Sequence, residues 1–179
     1  LTAFATLSNG QEFKAPKPLT SHQKRLRKYQ QALAKATKGG QNRAKKRVCV
    51  AKVHAKIKDI RQDFNHKLST KLIRENQAIM VESLQVKNMM KNKRLAKHIG
   101  DVGWGQFIAF LKYKAEWYGR NLIEIDQFFP SSKTCSSCQY KLEKLDLSVR
   151  RWQCPNCRII NDRDLNASIN IHTAGQSVV

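Results

Sequence analysis

Two pairs of cysteines constrain this chain more than any other feature. Cys135-x-x-Cys138 is followed, after fifteen residues, by Cys154-x-x-Cys157. Each pair makes a tight knuckle whose sulfurs face one point, and two knuckles complete a tetrahedron, the pattern of a zinc ribbon. Two disulfides are the competing outcome. The opening stretch "LTAFATLSNG" has neither a basic n-region nor a cleavage pattern, so it does not read as a secretory signal. A strongly basic chain without such a signal is expected in a reducing compartment, where thiolates bind metal rather than pair. One zinc ion held by Cys135, Cys138, Cys154 and Cys157 is the expectation. Four thiolates leave no open coordination position, so the metal is read as structural. Cys49 has no partner at ligand spacing and reads as a half-buried packing residue.

Charge is the second constraint. Thirty-four Lys and Arg against thirteen Asp and Glu give +21. The excess is local: residues 14–98 hold 24 basic and 4 acidic side chains, net +20, whereas residues 99–179 hold 10 and 8, net +2. A field of one sign on that scale points to a polyanion, with nucleic acid the expected partner. Hydrophobic content of 41% in 179 residues suits one domain with a core and a small added module. No apolar run approaches the ~20 residues of a membrane span.

Along the chain, "LTAFATL" and "QEFKA" alternate as strands about Ser8-Asn9-Gly10. Leu1, Ala3, Ala5 and Leu7 share one face, with Thr2, Phe4 and Thr6 on the other. The alternation is already running at Leu1, so the chain is expected to be part of a longer polypeptide. Thr20 and Gln23 form a capping-box pattern that opens a helix, ended by Gly39-Gly40. A second helix is expected to about Asn76, striped by Val50, Val53, Ile57, Ile60, Phe64, Leu68 and Leu72. The two helices should pack antiparallel, with Lys and Arg outward. "AIMVESL" suits a strand buried on both faces, and 87–98 reads as a basic loop. "QFIAFLKYKAEWYG" reads as a helix ending at Gly119, "NLIEIDQFF" as a strand stopped by Pro130, and a closing helix begins near Asp162. The order is an α/β pattern, compatible with a mixed sheet flanked by helices.

Three carboxylates stand out. Glu82 is the one charge in "AIMVESL", at the carboxyl end of the strand, where open α/β sheets bind ligands. Asp162 and Asp164 fall at the start of the last helix, where one aspartate suffices as a cap. Asp164 shares a helical face with Ala167 and Ile171, an apolar side that would press on a sheet and aim Asp164 toward Glu82. Carboxylates converging over a sheet in a basic protein suggest metal-dependent phosphodiester chemistry. Two magnesium or manganese ions about 4 Å apart would activate a water and stabilise the leaving oxygen.

"SSKTCSSC", "LSVRRWQCPNC" and "NDRDLNASINI" together resemble the C-terminal part of TnpB, the transposon-encoded, RNA-guided nuclease family also known as transposase OrfB and related to type V CRISPR effectors. The likeness continues through "IMVESL", "GWGQFIAFLKYKAEWYG" and "IDQFFPSSKTCSSC", so it covers essentially the whole chain. It implies a RuvC-like nuclease with the RNase H-like fold. Residues 1–130 would form the core, with a basic helical hairpin inserted at 20–76. Residues 131–160 would be a zinc ribbon that binds target nucleic acid, and 161–179 the final RuvC helix. Glu82 corresponds to the second catalytic carboxylate and Asp164, in Asp-x-Asn-Ala, to the third, both ligands of magnesium. Guide RNA and target DNA are the implied partners, no membrane is involved, and the implied location is the prokaryotic cytoplasm, at the nucleoid.

Three departures matter. The family's first catalytic aspartate lies in a Gly-x-Asp-x-Gly run that ends just before the position of Leu1, so the isolated chain is not expected to cut. The domains that grip the guide and read the target-adjacent motif also precede it. Gln139 and Arg158 stand where the family has glycine after each Cys-x-x-Cys, and Asn161 where it has histidine. Those swaps bear on turn geometry, not on metal binding. The alternative is a relic that holds RNA and DNA without cutting, as a transcriptional regulator; intact Glu82 and Asp164 argue against it. A free-standing zinc-ribbon adaptor leaves Glu82 unexplained.

Overall fold

In the computed structural model residues 3–93 and 95–177 are described; Leu1 and Thr2, expected in the first strand, lie outside them. β1 (Ala5–Thr6) pairs antiparallel with β2 (Glu12–Phe13), Ala5 opposite Phe13. Of the two faces, the one carrying Phe4 is inward, since Phe4 is buried. The chain divides into two compact units, one of Leu1–Ala15, Lys71–Gln85 and Leu111–Val179, the other of Pro16–Thr70 and Val86–Phe110.

The second unit is helical. α1 (Pro18–Lys35) begins two residues before the expected capping box, and that box does not form. Lys17 precedes it at φ 46° and offers no side-chain cap. Instead the Asp101 carboxylate accepts from the Leu19 amide at 2.8 Å, the Thr20 amide at 3.0 Å and the Thr20 hydroxyl at 3.1 Å. Asp101 is buried and is itself held by Arg61, 3.6 Å away. At the other end the Arg43 guanidinium donates to the Leu33 and Ala36 carbonyls at 2.8 and 3.1 Å. Both lie at the end of the helix, where carbonyls run short of intrahelical donors, and that of Leu33 also accepts the Ala36 amide at 3.3 Å. α2 (Gln41–Glu75) matches the expected second helix. Leu26 packs against Val53 and Ile57, ringed by Leu19, Tyr29 and Val50, while Lys24, Arg25, Lys45, Lys52 and Lys56 are exposed. The stretch 87–98, expected as loop, contains α3 (Val86–Met89) and the start of α4 (Ala96–Val102). α4 is the helix that presents Asp101.

In the first unit β3 (Ala78–Glu82) pairs in parallel with β4 (Asn121–Ile125), Met80 opposite Ile123 and Glu82 opposite Ile125. β3 is half-buried with Glu82 exposed, not buried on both faces as expected. β4 stops at Ile125 rather than near Pro130, because the Asp126 carboxylate accepts the Phe128 amide at 2.7 Å and turns the chain. Among the described residues the strands form three two-stranded sheets, not one continuous mixed sheet: β1–β2, β3–β4 and β5 (Arg151–Gln153) with β6 (Ile160–Asp162). α5 (Trp104–Trp117) contributes Lys112, which pairs with Glu124 of β4 at 2.6 Å. Glu124 alternates with Ile123 and Ile125, so it points to the opposite face of the strand. On the Ile123 and Ile125 side, α6 (Arg163–Gln176) packs across β3 and β4. Its Gly175 lies so close to Met80 that a Cβ there would overlap the methionine side chain.

Candidate active site and metal centre

The two cysteine knuckles repeat one hydrogen-bond pattern. The Cys135 amide donates to the Tyr140 carbonyl and the Gln139 amide to the Cys135 carbonyl, at 2.8 and 2.9 Å. The Cys154 amide donates to Ile159 and the Arg158 amide to Cys154, both at 2.9 Å. Each knuckle closes in the left-handed region, Gln139 at φ 61° and Arg158 at φ 62°. The turn geometry is kept without glycine, at a cost of roughly 1 kcal/mol or more per residue. Sulfurs lie 3.7 Å apart for Cys135 and Cys157 and 3.6 Å apart for Cys138 and Cys154, and all four fall within 4.8 Å of one another. A tetrahedron with metal–sulfur bonds of about 2.3 Å has edges of roughly 3.8 Å, whereas a disulfide is about 2.05 Å long. The four cysteines are free thiols close enough together to hold one metal ion. Behind them Trp152 packs on Cys135 and Cys154, all three buried.

Four thiols this close cannot all ionise without a cation among them. The Asn156 side chain, hydrogen bonded to Cys138, leads the effects that bring that thiol down to about 6. For Cys157 the Ile159 amide acts to lower the value, but burial and the three neighbouring thiols together push it up to about 12. Burial acts to raise Cys135, and the amides of Cys138 and Ser137 with the Asn161 side chain outweigh it, so this thiol is lowered. Asn161 is buried, its amide nitrogen 3.7 Å from the Cys135 sulfur. The residue that stood out in the sequence only as a departure from histidine is thus a donor to a ligand atom.

The carboxylates separate into roles. Asp162 caps α6: its Oδ1 accepts from the Asp164 and Leu165 amides at 3.1 and 3.2 Å. Asp164 makes no cap bond of its own there; its Oδ2 lies 3.5 Å from Arg150, and its side chain is 43% exposed. Along α6, Asp164 shares a stripe with Ile171 and Gly175, seven and eleven residues on. Gly175 meets Met80 of β3, and Glu82, two residues beyond Met80, projects from that same face of the strand. Glu82 therefore lies on the side of β3, and Asp164 on the stripe of α6, that meet where Met80 touches Gly175. Desolvation by the surrounding protein raises the Glu82 pKa although the side chain keeps an open face to water. Among the described residues the four cysteines are the one group of three or more possible metal ligands within 4.8 Å, and neither Glu82 nor Asp164 belongs to such a group. Asp126 is exposed and engaged with the Phe128 amide.

A different face of α6 holds the ribbon. Asn166 and Asn170 are buried, and the side-chain amide of each donates to the carbonyls of both Ser131 and Thr134 at 2.7–3.2 Å. Asn166 Oδ1 also accepts the Ser136 amide at 2.8 Å, one residue past Cys135. Sequence reasoning passed over this pair, though it left a signal: two asparagines four apart inside a helix they disfavour.

The same segments carry the likeness to known proteins. A family model described as "Probable transposase", OrfB/IS605, matches residues 1–93, more than half of the 179. The chain belongs to the OrfB/IS605 transposase family. A second model, the TNB domain of Cas12f1-like proteins, matches residues 104–171 of this OrfB/IS605 member, the span from α5 through the ribbon into α6. A Streptomyces pristinaespiralis protein named "Putative RNA-guided DNA endonuclease" is 47% identical over 175 residues, covering 98% of this chain and 43% of that relative. A TnpB-like protein of Methanocaldococcus jannaschii is 30% identical over 126 residues, covering 65% of this chain and 44% of that protein. The chain spans less than half the length of these relatives. In fold it is similar to Cas12f1 solved in a complex with sgRNA and target DNA, with TM-score 0.62 at 14% identity over 90% of this chain and 43% of the other.

Proposed function

We propose that this chain is the nuclease portion of a transposon-encoded, RNA-guided DNA endonuclease that hydrolyses phosphodiester bonds with magnesium or manganese. One observation supports the reading: Glu82 and Asp164 lie on the side of β3 and the stripe of α6 that meet at Met80 and Gly175, while Asp162 serves as the cap. In this reading residues 1–130 and 161–179 belong to an RNase H-like core, 20–76 is an inserted hairpin, and 131–160 is a ribbon holding one structural zinc. Glu82 and Asp164 would hold the divalent ions, and a third carboxylate would come from outside residues 1–179. Two such ions supply an activated water and a stabilised leaving oxygen. Guide RNA and target DNA are the proposed partners, with the exposed basic residues of α1 and α2 neutralising phosphate. The relic reading has no observation in its favour, and the sequence keeps both carboxylates.

The test uses the full-length parent protein with its guide. Glu82→Ala or Asp164→Ala should abolish cleavage and leave guided DNA binding nearly intact, because affinity comes from base pairing and basic side chains. Asp162→Ala should cost far less activity. An essential Asp162 beside a dispensable Asp164 would overturn the assignment.

A further inference from the structure

Phe128 is 82% exposed, an unusual setting for a residue type that belongs in cores. Its backbone is nonetheless braced. The Phe128 amide donates to Asp126 Oδ1 at 2.7 Å and the Phe129 amide to the Asp126 carbonyl at 3.1 Å. Next the Ser131 amide donates to the Phe129 carbonyl at 2.8 Å and the Thr134 amide to Pro130 at 3.0 Å. Asn166 and Asn170 then grip the carbonyls of Ser131 and Thr134. An apolar ring is thus held out in water by a hydrogen-bonded loop.

Its place is informative. The loop leaves the carboxyl end of β4, where the Ser83 amide donates to the Ile125 carbonyl at 3.0 Å and Glu82 stands opposite Ile125. Ligands of open α/β sheets bind outside the carboxyl ends of the strands. The presented ring and the candidate metal-binding carboxylate therefore share one edge of the unit. Trp117, 76% exposed, closes α5 before β4 begins, so it belongs to the amino end of that strand, and it packs edge-on against Tyr113 at 4.7 Å. Leu147 and Ile160 of the ribbon are exposed but have no π face.

We propose that Phe128 is a stacking platform for a nucleobase of single-stranded DNA beside Glu82, an inference that rests on the nuclease reading above. A planar apolar ring is stabilised by a partner with a π face, and every base has one, so the contact is tolerant of sequence. The net charge of +21, carried almost wholly by residues 14–98, favours a polyanion as the partner of the chain as a whole.

The experiment is photocrosslinking of the zinc-loaded chain to single-stranded DNA carrying 5-iodouracil, with the adduct mapped by mass spectrometry. An adduct at Phe128 is expected. Phe128→Ala should weaken binding about tenfold, close to 1.4 kcal/mol, and Phe128→Trp should restore it. With an abasic site in place of the iodouracil, the native chain and Phe128→Ala should bind alike. Adducts confined to other residues such as Trp117, or full affinity in Phe128→Ala, would overturn the proposal. A Phe128 adduct together with cleavage that survives Glu82→Ala in the full-length protein would instead sink the nuclease assignment and leave the stacking site standing.

Discussion

Arg158 holds φ 62° with its side chain in solvent. The Gln153 amide that reaches this residue does so through the Arg158 carbonyl, at 3.0 Å, which any residue supplies. Arg158→Gly relieves the left-handed strain and should stabilise the zinc-loaded chain by up to about 1 kcal/mol, raising Tm by about 2–4 °C. Gln139→Gly should gain less, since it forfeits the side-chain bond to the Ser136 carbonyl at 3.3 Å. Glu82 behaves in the opposite sense to most charged residues. Its pKa is raised by desolvation, so the folded state holds the proton more tightly than the unfolded state, and stability falls as pH rises through the raised pKa. The penalty is expressed once the pH lies above the raised pKa. Glu82→Gln should therefore raise Tm at pH 7, and the gain should vanish at pH 4; a fall in Tm at pH 7 would show that the carboxylate is paired, not merely desolvated.

α6 joins two substructures through two faces. One presses Gly175 on Met80 and carries Asp164, and the other grips the first knuckle through Asn166 and Asn170. Loss of metal from the ribbon should therefore be felt at the helix. A structural zinc contributes on the order of 10–16 kcal/mol to a small module, so Cys154→Ser should abolish zinc binding, unfold 131–160 and speed hydrogen exchange across 163–170. Full zinc content in that variant would refute the ligand set. The clamp is redundant by construction, because each carbonyl receives both amides. Asn170→Ala alone should cost about 1 kcal/mol and Asn166→Ala more, because it also leaves the Ser136 amide bare, whereas the double variant strips both carbonyls and should exceed the sum by about 1 kcal/mol or more. Denaturant titration of all four proteins measures that coupling, and strict additivity would mean the amides do not share their acceptors.

For the molecule as a whole, charge separates binding from cutting. The +20 carried by residues 14–98 stands largely on exposed side chains of the helical hairpin. Contact with six phosphates would give a log–log slope of affinity against salt of roughly −5 on duplex DNA. Fluorescence anisotropy across a salt series should return a slope of that order for the 179-residue chain, with little preference among sequences and no cleavage in magnesium or manganese. A slope near zero would remove the hairpin as a nucleic-acid surface. Robust cleavage by the chain alone, lost in Glu82→Ala, would mean that Asp162 or Asp126 completes the metal site.

What the sequence determined by itself is local or strictly periodic. The Cys-x-x-Cys spacing defines two knuckles because each turn is built from adjacent residues, and the sulfurs converge as that spacing demands. The stripe of α2 and the closing helix with its Asp162 cap were legible for the same reason, since a 3.6-residue repeat and a cap each lie within a few turns. Tertiary structure decided what depends on residues far apart. α1 is capped by Asp101, more than eighty residues away, so the nearby Thr20 and Gln23 signal lost to a stronger acceptor that no local pattern announces. The β3–β4 pair stays two-stranded and half-buried, because the burial of a strand is set by its neighbours rather than by its own apolar run. The Asn166 and Asn170 clamp and the Asn161 bond to Cys135 exist only once residues 131–135 fold back on α6 and β6, since their acceptors come from a segment 26 to 39 residues earlier in the chain.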